Sequence, residues 1–329
     1  MKIFSLLLFI FLILKSSLCA NEKGNTEYRK YSQTCMGTKF NLLIDEQDIL
    51  LSNTAAQSAF KEAHRLDKIL SDYNSDSELS ILSQNSGSPT SFSVSDDLFH
   101  ILACSQELAI ETEGAFDITI GPLSRLWRIA RFKKVLPTNE KRSNAQERMG
   151  YQNLKLDYTH KKALLLKNEM VLDLGGIAKG YAADRMLTIL MEHNVTRFLI
   201  DAGGDLLLGN PPRGKAGWKI SIGGKKHPDL PNLVLANVAI ATSGDLEQSI
   251  TLAGNTYSHL INPKTGIGLT TMAQVTVIAP NATQADSLAS ASLVLGSKEG
   301  IPFLEKKPGV RAFFLEQKGN ETILQETKE

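Results

Sequence analysis

Between Met170 and Leu190 the chain changes from a continuous apolar run to a helical period. Met170 to Leu174 reads as a short strand and Gly175-Gly176 as a turn. Ala178, Ala182, Met186 and Ile189-Leu190 then fall on one face of a helix. The same reading extends along the chain. Met36 to Ile44 is a strand after a glycine kink, and residues 21–34 are polar and loose. A helix from about Thr54 to Asp72 carries the stripe Ala56, Ala59-Phe60, Ala63, Leu66, Ile69-Leu70. Ser77 to Leu82 forms a further helical turn and 85–91 a loop. Ser95-Asp96-Asp97 opens a helix that runs to about Thr112, with acids where the helix dipole favours them.

Gly114 to Leu123 is a glycine-bounded turn around one buried-looking acid, Asp117. Arg125 to Lys134 is a basic surface stretch, and 138–149 a linker or short helix. Leu154–Tyr158 and Ala163–Lys167 form a hairpin. Strands are expected at Arg197–Asp201, Trp218–Ile222, Leu233–Ala241, Thr256–Leu260 and Gln274–Ile278. A helix spans Thr283 to Leu295, and residues 310–316 and 321–325 form a last hairpin. Helices alternate with hairpins, so the expected class is α+β or mixed α/β in layers.

Composition narrows the function. In 329 residues, 42% are hydrophobic and 22% charged, as in an ordinary globular chain. A net charge of +1, with no basic block interleaved with aromatics, argues against a nucleic-acid binder. Lys2, the apolar run Ile3–Leu14 and Lys15 to Ala20 have the form of a signal peptide covering residues 1–20. Its removal leaves 34 bases against 35 acids. Cys19 is an alternative lipid-attachment site, against which Leu18 argues, so any membrane association is expected only through that anchor. Residues 21–31 are then a flexible segment, and 32–329 the folded domain. Cys35 and Cys104 remain in the exported chain, and the sequence leaves open whether they pair. No His/Cys cluster suggests zinc.

Two segments carry chemistry. Gly175-Gly176, between an apolar run and a helix, lets backbone N–H groups approach an anion, although such a turn is more often a packing device. Asp286 and Ser290 stand four apart at the start of a helix, where a carboxylate and a hydroxyl suit Mg²⁺. Asp286 stabilising only its own helix is the plainer reading of that segment. His259, at a strand end, is in reach of general-base chemistry, although a lone histidine is usually structural.

Taken in order, several segments resemble the ApbE family of FAD:protein FMN transferases. They are Met36-Gly-Thr, Gly114 to Leu123, Asp173-Leu-Gly-Gly-Ile-Ala-Lys-Gly-Tyr-Ala-Ala-Asp184, Asp201-Ala-Gly-Gly-Asp205, Ala241-Thr-Ser-Gly-Asp245, Tyr257 to Gly266 and Ala285 to Ser290. The resemblance runs from about residue 32 to 315. It implies a T-fold-like α/β structure with FAD in a groove between two lobes. It puts Met36, Tyr73, Ala115, Phe116, Asp117, Gly175, Tyr181 and Ile261 at the FAD. The carbonyls of Ala178 and Ala289, with Asp286 and Ser290, would hold Mg²⁺, and Ser290 stands where the family often has threonine. His259 would be the base. The implied reaction moves FMN from FAD to a threonine of a recipient flavoprotein, such as a subunit of sodium-pumping NADH:quinone reductase or an Rnf-type complex, in the periplasm, and releases AMP. Hydrolysis of FAD to FMN and AMP, or simple FAD binding, would use the same residues.

Overall fold

A computed structural model of the protein describes residues 28–222, 230–244, 249–252, 254–271, 273–319 and 321–328. The expected signal peptide, Cys19 and Asp245 lie outside the described residues. The class is α+β, built on one eight-stranded antiparallel sheet whose spatial order follows the sequence. Its strands are β1 (Arg29–Cys35), β2 (Thr38–Ile44), β3 (Phe198–Ala202), β4 (Asp205–Leu208), β5 (Ala239–Gly244), β6 (Ala273–Ala279), β7 (Arg311–Lys318) and β8 (Glu321–Glu326). Six helices are inserted between β2 and β3: α1 (Ile49–Leu70), α2 (Glu78–Gln84), α3 (Asp96–Glu111), α4 (Gly121–Lys133), α5 (Asn139–Glu147) and α6 (Ala178–Glu192). Helix α7 (Ala282–Leu304) joins β6 to β7.

The pleat divides the sheet's side chains between two cores. Phe198, Ile200 and Ala202 of β3, and Val275, Val277 and Ala279 of β6, point into the larger core with Ala59, Leu66, Met186 and Leu288 of the helices. Ile240, Ile278 and Phe313 face the other way, under Trp218 and Ile220 of a hairpin inserted between β4 and β5. A third, smaller core joins Leu123 and Trp127 of α4 to Ala145 of α5 and to Leu252, Tyr257 and Ile261 of two short hairpins inserted between β5 and β6. The Trp127 indole N–H donates to the Gly266 carbonyl at 2.9 Å and ties α4 to those hairpins.

Four expectations change. Leu233–Ala241 is not one strand: Asn232–Leu235 pairs with Trp218–Ser221, and β5 begins only at Ala239, after Asn237 at a φ of 55°. Residues 29–35 are not loose: they form β1, paired with β2 across the two-residue turn Met36-Gly37. Both turn residues have positive φ, 49° and 71°, as hairpins with the mirror-image turn require. Arg125 to Lys134 is not simply a surface stretch, because most of it is α4, whose inner face buries Leu123, Trp127 and Ala130. Met170–Leu174 is not a strand. Its one ladder contact is a parallel bridge from Val171 to Ile120, which holds the 115–121 turn beside the glycine pair. Cys35 and Cys104 are both free thiols, and burial pushes Cys35 up to about 12. Among the described residues no helix is long and apolar enough to cross a membrane.

Candidate active site at the crossing of two helix starts

Helices α6 and α7 meet at their N-termini, and each supplies a carboxylate to the other's unsatisfied N–H groups. Asp184 of α6 accepts from the backbone N–H of Ala282 and of Thr283, both at 2.8 Å, and from the Thr283 hydroxyl at 2.5 Å. Asp286 of α7 accepts from the Gly180 N–H at 3.0 Å, near the start of α6. The exchange fixes the register of the two helices. The crossing is close enough to require glycine at 180: a Cβ there would lie 2.2 Å from the Ala282 carbonyl oxygen and 2.9 Å from the Asp286 Cβ. We expect Asp184→Ala to lower unfolding free energy by about 2 kcal/mol, since it strips charged acceptors from two helix-terminal donors. Urea denaturation that finds a loss below about 0.5 kcal/mol would contradict this account of the crossing.

Asp286 is 3% exposed. Its Oδ2 lies 3.6 Å from the Lys179 ammonium, which also pairs with Asp205 at 2.5 Å. Burial raises Asp286 to about 6. The like charge of Asp205 adds to burial, while Lys179 and the Gly180 N–H oppose it. Burial also opposes the charge on Lys179, but Asp286 and Asp205 outweigh it and raise the lysine pKa. Asp205 stands at the start of β4, just after the glycine pair 203–204 that turns β3 into β4.

One turn along α7, Ser290 is also nearly buried, and its hydroxyl lies 3.3 Å from that of Ser243 on β5. Gly176 packs closely against it: a Cβ there would lie 3.0 Å from the Ser290 Oγ and 3.4 Å from the Phe116 ring. Asp286, Ser290, Gly176, Gly180 and Phe116 therefore converge, with Ala178 opening α6 and Ala289 buried next to Ser290. The donor set fits a hard dication. It offers one buried carboxylate, one hydroxyl and backbone carbonyls, and leaves positions for ligand oxygens. Among the described residues no group of three His, Cys, Asp or Glu side chains could hold a metal, so water or ligand oxygens would have to complete the shell of a dication here.

The other expected residues distribute as follows. Gly175 donates its N–H to the Asp173 carboxylate, two residues before it, at 2.9 Å. Asp117 accepts from the Thr119 N–H and hydroxyl and from the Tyr151 N–H. Its buried carboxylate thus holds the 115–121 turn against residues 150–151, with Ala115 buried at the turn's start. The Tyr181 hydroxyl donates to Asp97 at 2.7 Å and its ring is buried, so its polar end is spent inside the protein. Met36, at the β1–β2 turn, donates its N–H to Asp67 of α1. Ile261 is buried in the small core, and His259 is half-buried between Ser258 and the two-residue strand that Ile261 begins.

Tyr73 is 78% exposed, and Arg128 of α4 lies over its ring, the guanidinium carbon 4.1 Å from the centroid. Arg128 also bridges Asp72 at 2.5 Å and Asp173 at 3.1 Å, which ties α4 to the strand-like run before the glycine pair. Burial and the neighbouring Asp173 raise Asp72, against the pull of Arg128.

Lys179, Asp184, Asp205 and Arg128 are site residues that pattern reading passed over. Lys179 and Asp184 lie within the helix read from the central stretch, and Asp205 directly follows a glycine pair. Their pairings reach far along the chain, Asp184 to Thr283 over 99 positions and Lys179 to Asp205 over 26, and have no sequence period.

This geometry occurs in a chain with extensive likeness to known proteins. The ApbE family model matches residues 36–314. The FAD:protein FMN transferase of Haemophilus influenzae is 29% identical over 318 residues, covering 93% of this chain and 90% of that protein. The FAD:protein FMN transferase of Klebsiella pneumoniae is 30% identical over 264 residues, covering 77% of this chain and 74% of its own length. A histidine-to-glycine mutant of the flavin transferase ApbE from Vibrio cholerae superposes with a TM-score of 0.83 at 27% identity, over 92% of this chain and 98% of that one. The helix crossing with its buried carboxylate is thus part of a fold shared over nearly the whole described chain, which belongs to the ApbE family.

Proposed function

We propose that the protein transfers the FMN half of FAD to a threonine hydroxyl of a recipient flavoprotein domain, releases AMP, and uses Mg²⁺ as its resident metal. The observation that carries this reading is the α6–α7 crossing, which sets the buried Asp286 one turn from Ser290, with the Gly176 backbone packed against the Ser290 side chain, in a chain of this family. Asp286 and Ser290, with the carbonyls of Ala178 and Ala289, would hold the metal, which supplies charge neutralisation at the FAD diphosphate.

The chain's own groups do the remaining work. Lys179, held charged between Asp205 and Asp286, adds a fixed positive charge at the same place. Phe116 and Gly176 pack closely around the Ser290 side chain and hold its hydroxyl in place. The threonine oxygen forms a bond to the FMN phosphorus, and the bridging P–O bond breaks with its electron pair leaving on AMP. The threonine proton passes to a base, for which His259 has the suitable pKa range. Met36, Tyr73, Ala115 and Ile261 are the proposed flavin and adenine contacts.

The signal-peptide form of residues 1–20 supports a site of action outside the cytoplasm, in the periplasm, with Cys19 lipidation as the alternative attachment. Incubation with FAD, Mg²⁺ and the acceptor domain of an Rnf-type subunit, read by intact mass, tests the reaction. The expected result is a recipient mass gain equal to FMN less water, with one AMP released per transfer. AMP and free FMN with no gain on the recipient would replace the transferase reading with hydrolysis.

A further inference from the structure

We propose that the outer face of α4 and the turn after it form the docking surface for the recipient protein, and that the matching recipient surface is acidic with an apolar centre. The inference rests on the transferase reading above and names where its protein substrate lands.

The stretch from Ser124 to Leu136 carries Arg125, Arg128, Arg131, Lys133 and Lys134 and no acid. The chain as a whole is nearly neutral, so this is a local concentration of one sign. Helical spacing puts Arg125, Ile129, Phe132 and Lys133 on one side, opposite the buried Leu123, Trp127 and Ala130. The apolar members of that side lie in the open: Phe132 is 88% exposed, Val135 64% and Ile129 53%. Ile129 and Phe132 are grouped on one side of the helix rather than scattered, and aromatics with arginines are what interface centres use. Arg131 adds an independent sign. Its Nε is buried without a hydrogen-bond partner, and among the described residues it has no acidic partner. Burial and the nearby Arg128 depress its pKa, and a carboxylate brought to the rest of its guanidinium would offset the repulsion from Arg128.

The face is continuous with the site. Arg128, from the same helix, lies on Tyr73 and pairs with Asp173, whose other oxygen holds Gly175. A folded recipient seated on α4 is therefore next to the glycine pair, where its threonine has to arrive. An acidic partner meets the exposed Arg125, Lys133 and Lys134 here, and steering of that kind is strongest at low salt.

The test compares wild type with the triple variant Phe132→Ser, Lys133→Glu, Lys134→Glu, none of whose positions touches the α6–α7 crossing. FAD affinity and melting temperature check its folding. Direct binding of the Rnf-type acceptor domain is measured without FAD, and its KM and kcat in transfer with FAD and Mg²⁺. We expect unchanged FAD affinity, recipient Kd and KM raised about tenfold or more, and kcat at saturation within about twofold. Raising salt should weaken recipient binding by wild type and much less by the variant. Unaltered recipient binding in the variant overturns the proposal. So does loss of binding to anionic phosphatidylglycerol vesicles with recipient KM unchanged, which would give the face to a membrane. Recipient binding that the variant loses, with no transfer even by wild type, would sustain the docking surface and end the transferase reading instead. Wild type that neither binds nor modifies the recipient ends both.

Discussion

Asp286→Asn is expected to abolish transfer of flavin, lowering kcat/KM by about a thousandfold or more, while the protein stays folded. The asparagine keeps an oxygen for the Gly180 N–H, so the α6–α7 exchange survives on both sides. Lys179 keeps its partner Asp205. What disappears is the one buried negative charge of the crossing that is free to meet a dication. A thousandfold corresponds to about 4 kcal/mol of transition-state stabilisation, within what a catalytic metal supplies. The second readout does not depend on turnover. Mg²⁺ with FAD should raise the melting temperature of wild type and not that of the variant, because only a species that binds the folded state shifts its stability. Retained activity within about tenfold, or an equal Mg²⁺-dependent rise in melting temperature, would move the metal to other residues.

Much of the helical layer was legible because its faces are periodic. The stripe of α1 from Ala56 to Leu70 is buried apart from the half-buried Ile69, and Ser95 caps α3 through the Leu98 N–H. The end expected near Leu295 for α7 meets a backbone break at Gly296, where φ is 74°. The failures have physical causes. Strand β1 was missed because it is an edge strand with only Cys35 fully buried, so no apolar alternation marks it. The α4 stretch was read by its charges, although Leu123, Trp127 and Ala130 already stood at helical spacing. The run Met170–Leu174 is apolar because Met170, Leu172 and Leu174 are buried in the large core, not because it joins a ladder. At the site, the neighbourhood of Asp286 and Ser290 on one helix followed from a four-residue spacing. The reciprocal caps did not, since nothing local in either helix says which carboxylate will reach which N-terminus.

Gly180→Ala should then be the most damaging single methyl group in the protein, with a loss of about 3 kcal/mol in stability and at least about a hundredfold in transfer activity. The added Cβ would lie 2.2 Å from the Ala282 carbonyl oxygen and 2.7 Å from its carbon, both backbone atoms of α7. Neither can turn aside as a side chain would, so the helices must separate. Separation lengthens the Asp286–Gly180 and Asp184–Ala282 hydrogen bonds together, and it carries Asp286 away from the start of α6. Gly176→Ala is the informative contrast. Its Cβ would meet the Ser290 side chain at 3.0–3.2 Å and the Phe116 ring at 3.4 Å, contacts that small rotations relieve. That variant should lose activity, because the methyl pushes the Ser290 hydroxyl from its place, while stability falls by less than about 1 kcal/mol. Urea melts and transfer rates on the two variants separate the effects. If Gly180→Ala folds as stably as wild type, the close crossing of α6 and α7 is not what holds the carboxylate in place, because a methyl group cannot be accommodated there unless the helices already stand further apart.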